Sequence, residues 1–234
     1  LNMSGETVWL TELGAYETTG GFGSAASPTL HGDRLYIVND NVTRSFMVAI
    51  DKNTGQEVWR VDRDERGQNW ATPFVWEHDL RTEIVTAGTR GVRSYDLEGQ
   101  LLWEIRGMSG LTIPTPFAKH GLLYISSGYP GGGLRPVYVV KPGASGDISI
   151  WSADDMRTGL SSGFPGVKAS SRDVAWAYPL LGTYNTSALV YGDHYYTLLD
   201  RGFLVAHDAR TGEEVYGRQR LEIGNGVTAS PWAY

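Results

Sequence analysis

The sequence contains no cysteine, and this absence excludes several kinds of site at once. Without thiols the chain cannot form disulfides, thiolate zinc sites or a cysteine nucleophile. Long apolar runs are also missing, because no stretch approaches the roughly 18 to 20 residues that a membrane-spanning helix needs. We therefore expect no spanning segment, whereas the compartment stays open because a cysteine-free chain tolerates oxidising and reducing conditions alike.

Positive charge is scarce and is not clustered. The chain has 20 Lys and Arg against 26 Asp and Glu, which gives a formal net charge of −6. Nucleic acids and anionic membrane surfaces attract basic patches, and no run of Lys or Arg supplies one here. The composition therefore predicts no nucleic-acid partner.

Glycine and aromatic residues are abundant instead. Glycine accounts for 30 of 234 residues, against an average usage of about 7%. The 13 Tyr and 8 Trp far outnumber the 4 Met. Turn-forming glycine combined with aromatic side chains favours many short strands over helices.

An internal repeat organises the chain. The segment 49–59 (AIDKNTGQEVW) returns at 206–216 (AHDARTGEEVY), and a shorter version occupies 94–103 (SYDLEGQLLW). A partial copy lies at 2–9, and the copy at 145–151 carries one extra residue between its Gly and its Trp. The aromatic residues that end these copies are Trp9, Trp59, Trp103, Trp151 and Tyr216.

A second signature, Ser or Thr followed in most copies by Pro, opens each unit. The openers lie at 27–29, 72–74, 115–117, 186–188 and 230–232. The one long interval contains the Gly- and Ser-rich stretch 152–179, which we interpret as an insertion. A period of about 43 residues holding four short strands is typical of one β-propeller blade.

These signatures predict a single domain over 1–234 divided into repeat units. The units are approximately 1–24 (partial), 25–69, 70–111, 112–182 (with the insertion 152–179), 183–224 and 225–234 (partial).

The Asp-x-x-Thr-Gly-x-x-x-Trp segment suits a hairpin between the outer two strands of a blade. Asp and Thr bind nearby backbone amides, and Gly supplies the positive φ of the turn. The Trp then lies on the following strand, where it packs against a neighbouring blade. The residues predicted to dock blades in this way are Gly5, Trp9, Asp51, Gly55, Trp59, Asp96, Gly99, Trp103, Gly146, Trp151, Asp208, Gly212 and Tyr216.

This pattern resembles the tryptophan-docking motif of pyrroloquinoline quinone (PQQ)-type propellers. That group includes PQQ-dependent dehydrogenases and non-enzymatic, BamB-like repeat proteins. The resemblance covers the chain except roughly 152–179 and implies an all-β propeller of four-stranded blades, with about five blades represented. It also implies export to the periplasm or cell envelope.

Two interpretations of the blade number stay open. The chain is either a segment of a longer propeller or a small five-unit ring whose two ends share a blade. In the first case incomplete blades leave strand edges exposed, and exposed edges promote self-association.

Motifs that carry chemistry are missing. No His-Glu-x-x-His spacing occurs, and the glycine-rich segment 128–136 lacks the Gly-Lys-Ser/Thr ending of a phosphate loop. PQQ dehydrogenases cap their quinone with a disulfide between adjacent cysteines, which this chain cannot form. We therefore predict no catalytic residue, metal or cofactor, so that PQQ and calcium belong only to the alternative of a quinoprotein dehydrogenase.

The predicted function is a non-catalytic scaffold that binds a protein or a ligand, with a small-ligand or glycan-binding propeller as a further alternative. In propellers the loops entering the innermost strands surround one mouth of the central channel. The segment 159–171 is a second candidate for recognition, because loops on rigid scaffolds often carry it. The channel-mouth candidates are Asn69, Trp70, Thr112, Tyr184, Asn185 and Asn225.

Overall fold

The computed structural model describes residues 1–65, 67–89, 91–131, 133–152, 168–223 and 226–233. Its regular structure consists of short strands in four sheets of four or five strands each. In those ranges the helical structure is limited to a 3₁₀ turn at Thr19–Gly21. The predicted all-β fold of four-stranded blades is confirmed.

The first two blades follow the predicted order of strands. Neighbours in sequence pair antiparallel, so each blade is a simple meander. The first blade contains β1 (Thr29–His31), β2 (Arg34–Asn39), β3 (Phe46–Asp51) and β4 (Glu57–Asp62). The second blade contains β5 (Phe74–His78), β6 (Arg81–Ala87), β7 (Gly91–Tyr95) and β8 (Leu101–Arg106).

The third blade departs from this order. It begins with β9 (Phe117–Lys119), β10 (Leu122–Ser126) and β11 (Val137–Val140). The next strand, β12 (Gly146–Asp147), joins the second blade, and β13 (Val174–Tyr178) becomes the outer strand of the third. The fourth blade contains β14 (Leu189–Tyr191), β15 (His194–Leu199), β16 (Phe203–Asp208) and β17 (Glu214–Arg220).

The degenerate copy at 145–151 was therefore assigned to the wrong blade. Strand β12 pairs with β8 in parallel, and Gly146 lies beside Trp103. One extra residue in this copy reverses the alternation of side chains along a strand, so Trp151 cannot repeat the position of the other aromatic residues. Because β13 lies inside the predicted insertion 152–179, that insertion ends earlier than predicted.

The hydrophobic core is distributed over the interfaces between blades. Trp103 and Tyr138 are fully buried in a cluster shared by the second and third blades. Trp176 and Tyr195 are buried in a cluster shared by the third and fourth. Each aromatic side chain of this kind buries about 150–250 Å², so contacts between blades supply much of the packing.

The openers of successive blades contact one another. Thr29 Oγ1 donates to Pro73 O at 2.5 Å, and Ser187 N donates to Ser230 Oγ at 2.9 Å. The first strands β1, β5 and β9 also contact each other in sequence. The first strands therefore form the inner side of the array, and the segments that lead into them lie around one end of it.

None of the described segments forms a helix with the length and apolar character needed to cross a bilayer.

Candidate functional site

The first two blade joints are made by a tryptophan that lies on a glycine of the next unit. Trp9 Nε1 donates to Lys52 O at 2.8 Å, and a Cβ on Gly55 would lie 2.5 Å from the Trp9 ring. Trp59 Nε1 donates to Leu97 O at 2.9 Å. At this joint a Cβ on the next glycine, Gly99, would lie 3.1 Å from the Trp59 ring. These glycines are therefore required both by their positive φ and by the ring above them.

The joint between the third and fourth blades uses Trp176, which was not among the predicted residues. Its Nε1 donates to Ala209 O at 2.9 Å, and a Cβ on Gly212 would lie 2.6 Å from its ring. Trp151, which was predicted for this role, packs instead against Tyr138 at 5.1 Å between ring centroids. The apolar run Val174–Tyr178 indicates a strand, although nothing local marks it as the outer strand of this blade.

At the joint between the second and third blades, Trp103 packs in the core shared by both blades, whereas its polar contacts stay within its own blade. Trp103 is fully buried, and its Nε1 donates to the carboxylate of Glu83 at 2.6 Å. The same carboxylate accepts from Ser94 Oγ at 2.5 Å, Arg81 Nε at 2.7 Å and His78 Nε2 at 2.9 Å. Glu83 is therefore a buried but fully hydrogen-bonded carboxylate. Sequence reasoning missed it because the other blades have no acidic residue at the corresponding position.

The outer hairpins of three blades share one geometry, which is set by an aspartate in each. Asp51 accepts from Thr54 N at 2.8 Å, Asp96 from Gln100 N at 2.8 Å, and Asp208 from Thr211 N at 2.7 Å. These backbone donors hold the pKa of Asp51 and the pKa of Asp208 below the ordinary aspartate value. The aspartates therefore shape turns and are already occupied as acceptors.

Three further docking candidates lie outside these joints. Gly5 and Gly146 have positive φ, but a Cβ on either would meet open space. Tyr216 is half-buried on β17, opposite Ala206 of β16.

Two of the channel-mouth candidates are buried and hold the mouth together. The Asn69 side-chain oxygen accepts from Thr112 N at 3.1 Å and from Thr89 Oγ1 at 3.0 Å. Trp70 N donates to Thr112 O at 2.8 Å. Asn69 and Thr112 therefore fix the backbone of the mouth rather than present side chains to a ligand.

A buried ion pair holds Asn69 in this position. Arg63 Nε donates to Asp40 Oδ1 at 2.8 Å, and both side chains are completely buried. Burial alone disfavours the charged guanidinium, but Asp40, together with Tyr95 and Glu65, outweighs this effect and raises the pKa of Arg63. Asn69 Nδ2 donates to the other Asp40 oxygen at 3.1 Å. The pair therefore ties the first blade to the loop that precedes Trp70.

The other two described aromatic and polar candidates are Tyr184 and Asn185. The backbone N–H groups of both donate to the Asp200 carboxylate, at 3.2 Å for Tyr184 and 3.5 Å for Asn185. The Tyr184 ring packs on Tyr129 at 5.2 Å, and partial burial raises the pKa of Tyr184. Asn225 lies outside the described residues, as does most of the candidate segment 159–171.

Trp70 and Tyr184 meet in an apolar recess of about 290 Å³ at the mouth. We call this the mouth recess. Its walls are Phe22, Trp70, Leu111, Ile113 and Tyr184.

Leu111 gives the mouth recess a preformed wall. Its φ is +52°, in the left-handed region that leucine rarely adopts. Such a conformation persists only where the surrounding structure enforces it, and it is frequent at binding sites. Thr112, the next residue, is held by Asn69 and Trp70 as described above, which accounts for that enforcement. Because the described residues that line the mouth recess include no charged side chain, its chemistry favours an apolar or aromatic group.

Four-stranded blades joined by Trp-on-Gly contacts define a repeat protein of the β-propeller class. The family model described as "Outer membrane protein assembly factor BamB" matches residues 1–134, more than half of the chain. The chain therefore belongs to this family of PQQ-like repeat propellers.

Two solved structures show the same fold at low sequence identity. BamB from Moraxella catarrhalis is 16% identical with a TM-score of 0.53, over 82% of this chain and 51% of that protein. A europium-containing methanol dehydrogenase is 12% identical with a TM-score of 0.55, over 84% of this chain and 41% of that enzyme. The chain thus spans about half or less of the length of these proteins. A search of curated proteins gives no significant match.

The residues of the mouth recess do not fit pyrroloquinoline quinone. That cofactor bears several carboxylates, whereas the wall residues that the structure describes include no cationic side chain. The described part of the chain also has no group of three His, Cys, Asp or Glu side chains placed to hold a metal ion. That the chain uses no cofactor stays a prediction.

Proposed function

We propose that this protein is a non-catalytic scaffold of the cell envelope that binds a partner protein through the mouth recess. The observation that carries the proposal is the recess itself, an apolar cup with a wall in a strained backbone conformation. Aromatic side chains that are held rigidly are the residues most often responsible for binding energy at protein interfaces.

Further support comes from the kinds of side chain that are buried. The buried polar groups described above make hydrogen bonds within the fold, and the aspartates of the hairpins are occupied by turn amides. Phe22, by contrast, is 73% exposed beside the recess. The surface thus combines an exposed apolar side chain with a preformed apolar recess, and this combination suits binding rather than catalysis.

Site-specific photocrosslinking tests this proposal. The photoreactive residue p-benzoylphenylalanine would replace Phe22 at the recess and, as a control, Leu101, which is 53% exposed on the outer strand β8. We expect a discrete protein adduct in envelope fractions with the probe at 22, lost in the Trp70→Ala and Tyr184→Ala variants. Identical adducts from both probe positions, or none at 22, would contradict the proposal.

The alternative of a quinoprotein dehydrogenase has its own test. The complete gene product would be mixed with PQQ and calcium and assayed with alcohols, aldose sugars and an artificial electron acceptor. We expect neither turnover nor stoichiometric quinone binding, because the described walls of the recess offer no cationic partner for the carboxylates of PQQ. Turnover or stoichiometric quinone binding would contradict the scaffold proposal and favour a quinoprotein enzyme.

A further inference from the structure

The outer strand of a blade has one open edge, and the chain covers this edge itself in two blades. In the third blade, Ala169 bridges Ala177 of β13. In the second blade, β12 lies parallel to β8. Unpaired backbone groups at a sheet edge are a template for pairing with another strand, so this protein already shows which kind of segment its edges accept.

The contact of β12 with β8 combines backbone pairing with one charge contact. Ile148 N donates to Glu104 O at 2.9 Å, and Arg106 N donates to Ser149 Oγ at 2.9 Å. Asp147 Oδ2 lies 3.3 Å from Arg106 Nη2. The segment that pairs with β8 therefore has the sequence Gly-Asp-x-Ser, and both its Asp and its Ser contact Arg106.

The fourth blade has an arginine at the position of Arg106. Arg106 is paired with Gly91, the first residue of the third strand of its blade. Arg220 is paired in the same way with Phe203, the first residue of the third strand in the fourth blade. The corresponding residue of the first blade is Asp62, which is paired with Phe46.

None of the strands in the described part of the chain pairs with the outer edge that carries Arg220. β17 is the last strand of its sheet, and its residues 218–220 are exposed. The Arg220 guanidinium lies 4.9 Å from the Phe203 ring and makes no ion pair with any described residue. In the first blade, by contrast, Asp62 is already paired with Arg44 at 3.0 Å and would repel an acidic segment.

We propose that the outer edge of β17 binds an extended acidic segment of a partner protein, of the Gly-Asp-x-Ser kind, as an added parallel strand. Arg220 binds the aspartate carboxylate as Arg106 does in the second blade. Main-chain hydrogen bonds supply affinity and the side chain supplies selectivity, as in other cases of strand addition. This surface is separate from the mouth recess, so the proposal stands or falls independently of that site.

A labelled peptide with the sequence of residues 145–150, Ser-Gly-Asp-Ile-Ser-Ile, is the direct probe. Its binding to the full chain would be followed by fluorescence anisotropy up to millimolar protein. We expect saturable binding that Arg220→Glu weakens about fivefold or more, the scale of an exposed ion pair. The charge-matched control is Arg172→Glu, which removes an exposed arginine before β13 and should leave the affinity unchanged.

Hydrogen exchange locates the binding. Saturating peptide should slow amide exchange in β17 and leave β4 unchanged, and a peptide with Lys in place of Asp should bind more weakly. No saturable binding, equal affinity for the Arg220→Glu variant, or protection on β4 would overturn the proposal. Concentration-dependent dimerisation abolished by Arg220→Glu would also overturn it, since the occupant would then be a second copy of this chain.

Discussion

At the scale of single residues, the buried polar side chains explain why the blade joints are not interchangeable. Glu83 receives donors from four side chains, one of them Trp103, within the second blade. A buried carboxylate is tolerated only when such donors replace its lost hydration. Truncating Trp103 would therefore remove both a large buried ring and one of these donors, whereas Trp59 is partly exposed and donates to a backbone carbonyl.

Replacement of these two tryptophans should separate their contributions. We expect Trp103→Ala to lower the free energy of unfolding by about 3–5 kcal/mol, the range for truncating a large core aromatic. Trp59→Ala should cost less, because less of its ring is buried. Urea denaturation measures both values. A loss below about 1 kcal/mol for Trp103→Ala would show that its role in the joint is misassigned.

His207 predicts a dependence of stability on pH. The side chain is buried, and its Nδ1 has no hydrogen-bond partner among the described residues. Burial lowers the pKa of His207 below its ordinary value of 6.5, although Glu214 partly opposes this. The unfolded chain therefore takes up the proton first as the pH falls below 6.5. The stability that His207 contributes is complete above that pH and is lost as the pH falls towards the lowered pKa.

The measurement is urea denaturation at about pH 7 and about pH 5. Native protein should lose more stability between these values than the His207→Phe variant, which has no titrating group at this position. His194→Phe, on the neighbouring strand β15, is the control and should keep the native pH response. Parallel pH profiles for native protein and His207→Phe would contradict the prediction.

At the scale of elements, most of the strand pattern was readable from the sequence. The repeated Asp, Gly and Trp positions act locally, since each hairpin is closed by an aspartate and amides two to four residues away. The outer strand of the third blade was not readable. Its pairing joins β11 to β13 across a long segment, and no local signal distinguishes that partner from the closer copy at 145–151. Pairing over such distances is decided by packing, here of Trp176 on Gly212.

The mouth recess, too, can be predicted only in part from the sequence. Loop position in the repeat makes Trp70 and Tyr184 candidates, but Phe22, which also lines the recess, belongs to a segment outside any complete unit. Asn69 and Thr112 are also candidates by sequence position, yet the Asn69 side chain bonds Thr112 N and Asp40, and Thr112 Oγ1 donates to Ser109 O. Sequence position predicts which loops meet, whereas hydrogen bonding decides which side chains remain available.

Two glycines allow the docking contact itself to be measured. Gly212 and Gly146 both have positive φ, near +70°, so alanine strains the backbone similarly at both. Only at Gly212 would the new Cβ also meet the Trp176 ring, at 2.6 Å. We expect Gly212→Ala to cost about 1–3 kcal/mol more than Gly146→Ala, the range for overpacking. If thermal or urea unfolding shows the same loss of stability for both variants, the Trp176 ring moves aside without an energetic cost.

At the scale of the whole molecule, the blades form a linear series in which each one contacts its neighbours. The stability of such arrays is approximately the sum of the stabilities of the units and of their interfaces. Two of the three joints between the blades place a Trp on a Gly, Trp59 on Gly99 and Trp176 on Gly212, whereas at the middle joint Trp103 packs in the core shared by the second and third blades. Weakening one joint should therefore release the blades on one side of it rather than unfold every blade equally.

Trp176→Ala tests this idea in the fourth blade. The substitution removes the ring over Gly212 and the hydrogen bond to Ala209, which together hold the fourth blade to the third. We expect hydrogen exchange measured by mass spectrometry to become faster throughout β14–β17, while β1–β4 keep their native protection. Trp9→Ala is the matched variant at the other end of the series and should give the reverse pattern, because its ring covers Gly55 of the first blade. Equal acceleration in all four blades, in either variant, would show that they unfold as one cooperative unit. The array would then transmit a disturbance at one joint to the mouth recess and to the β17 edge alike.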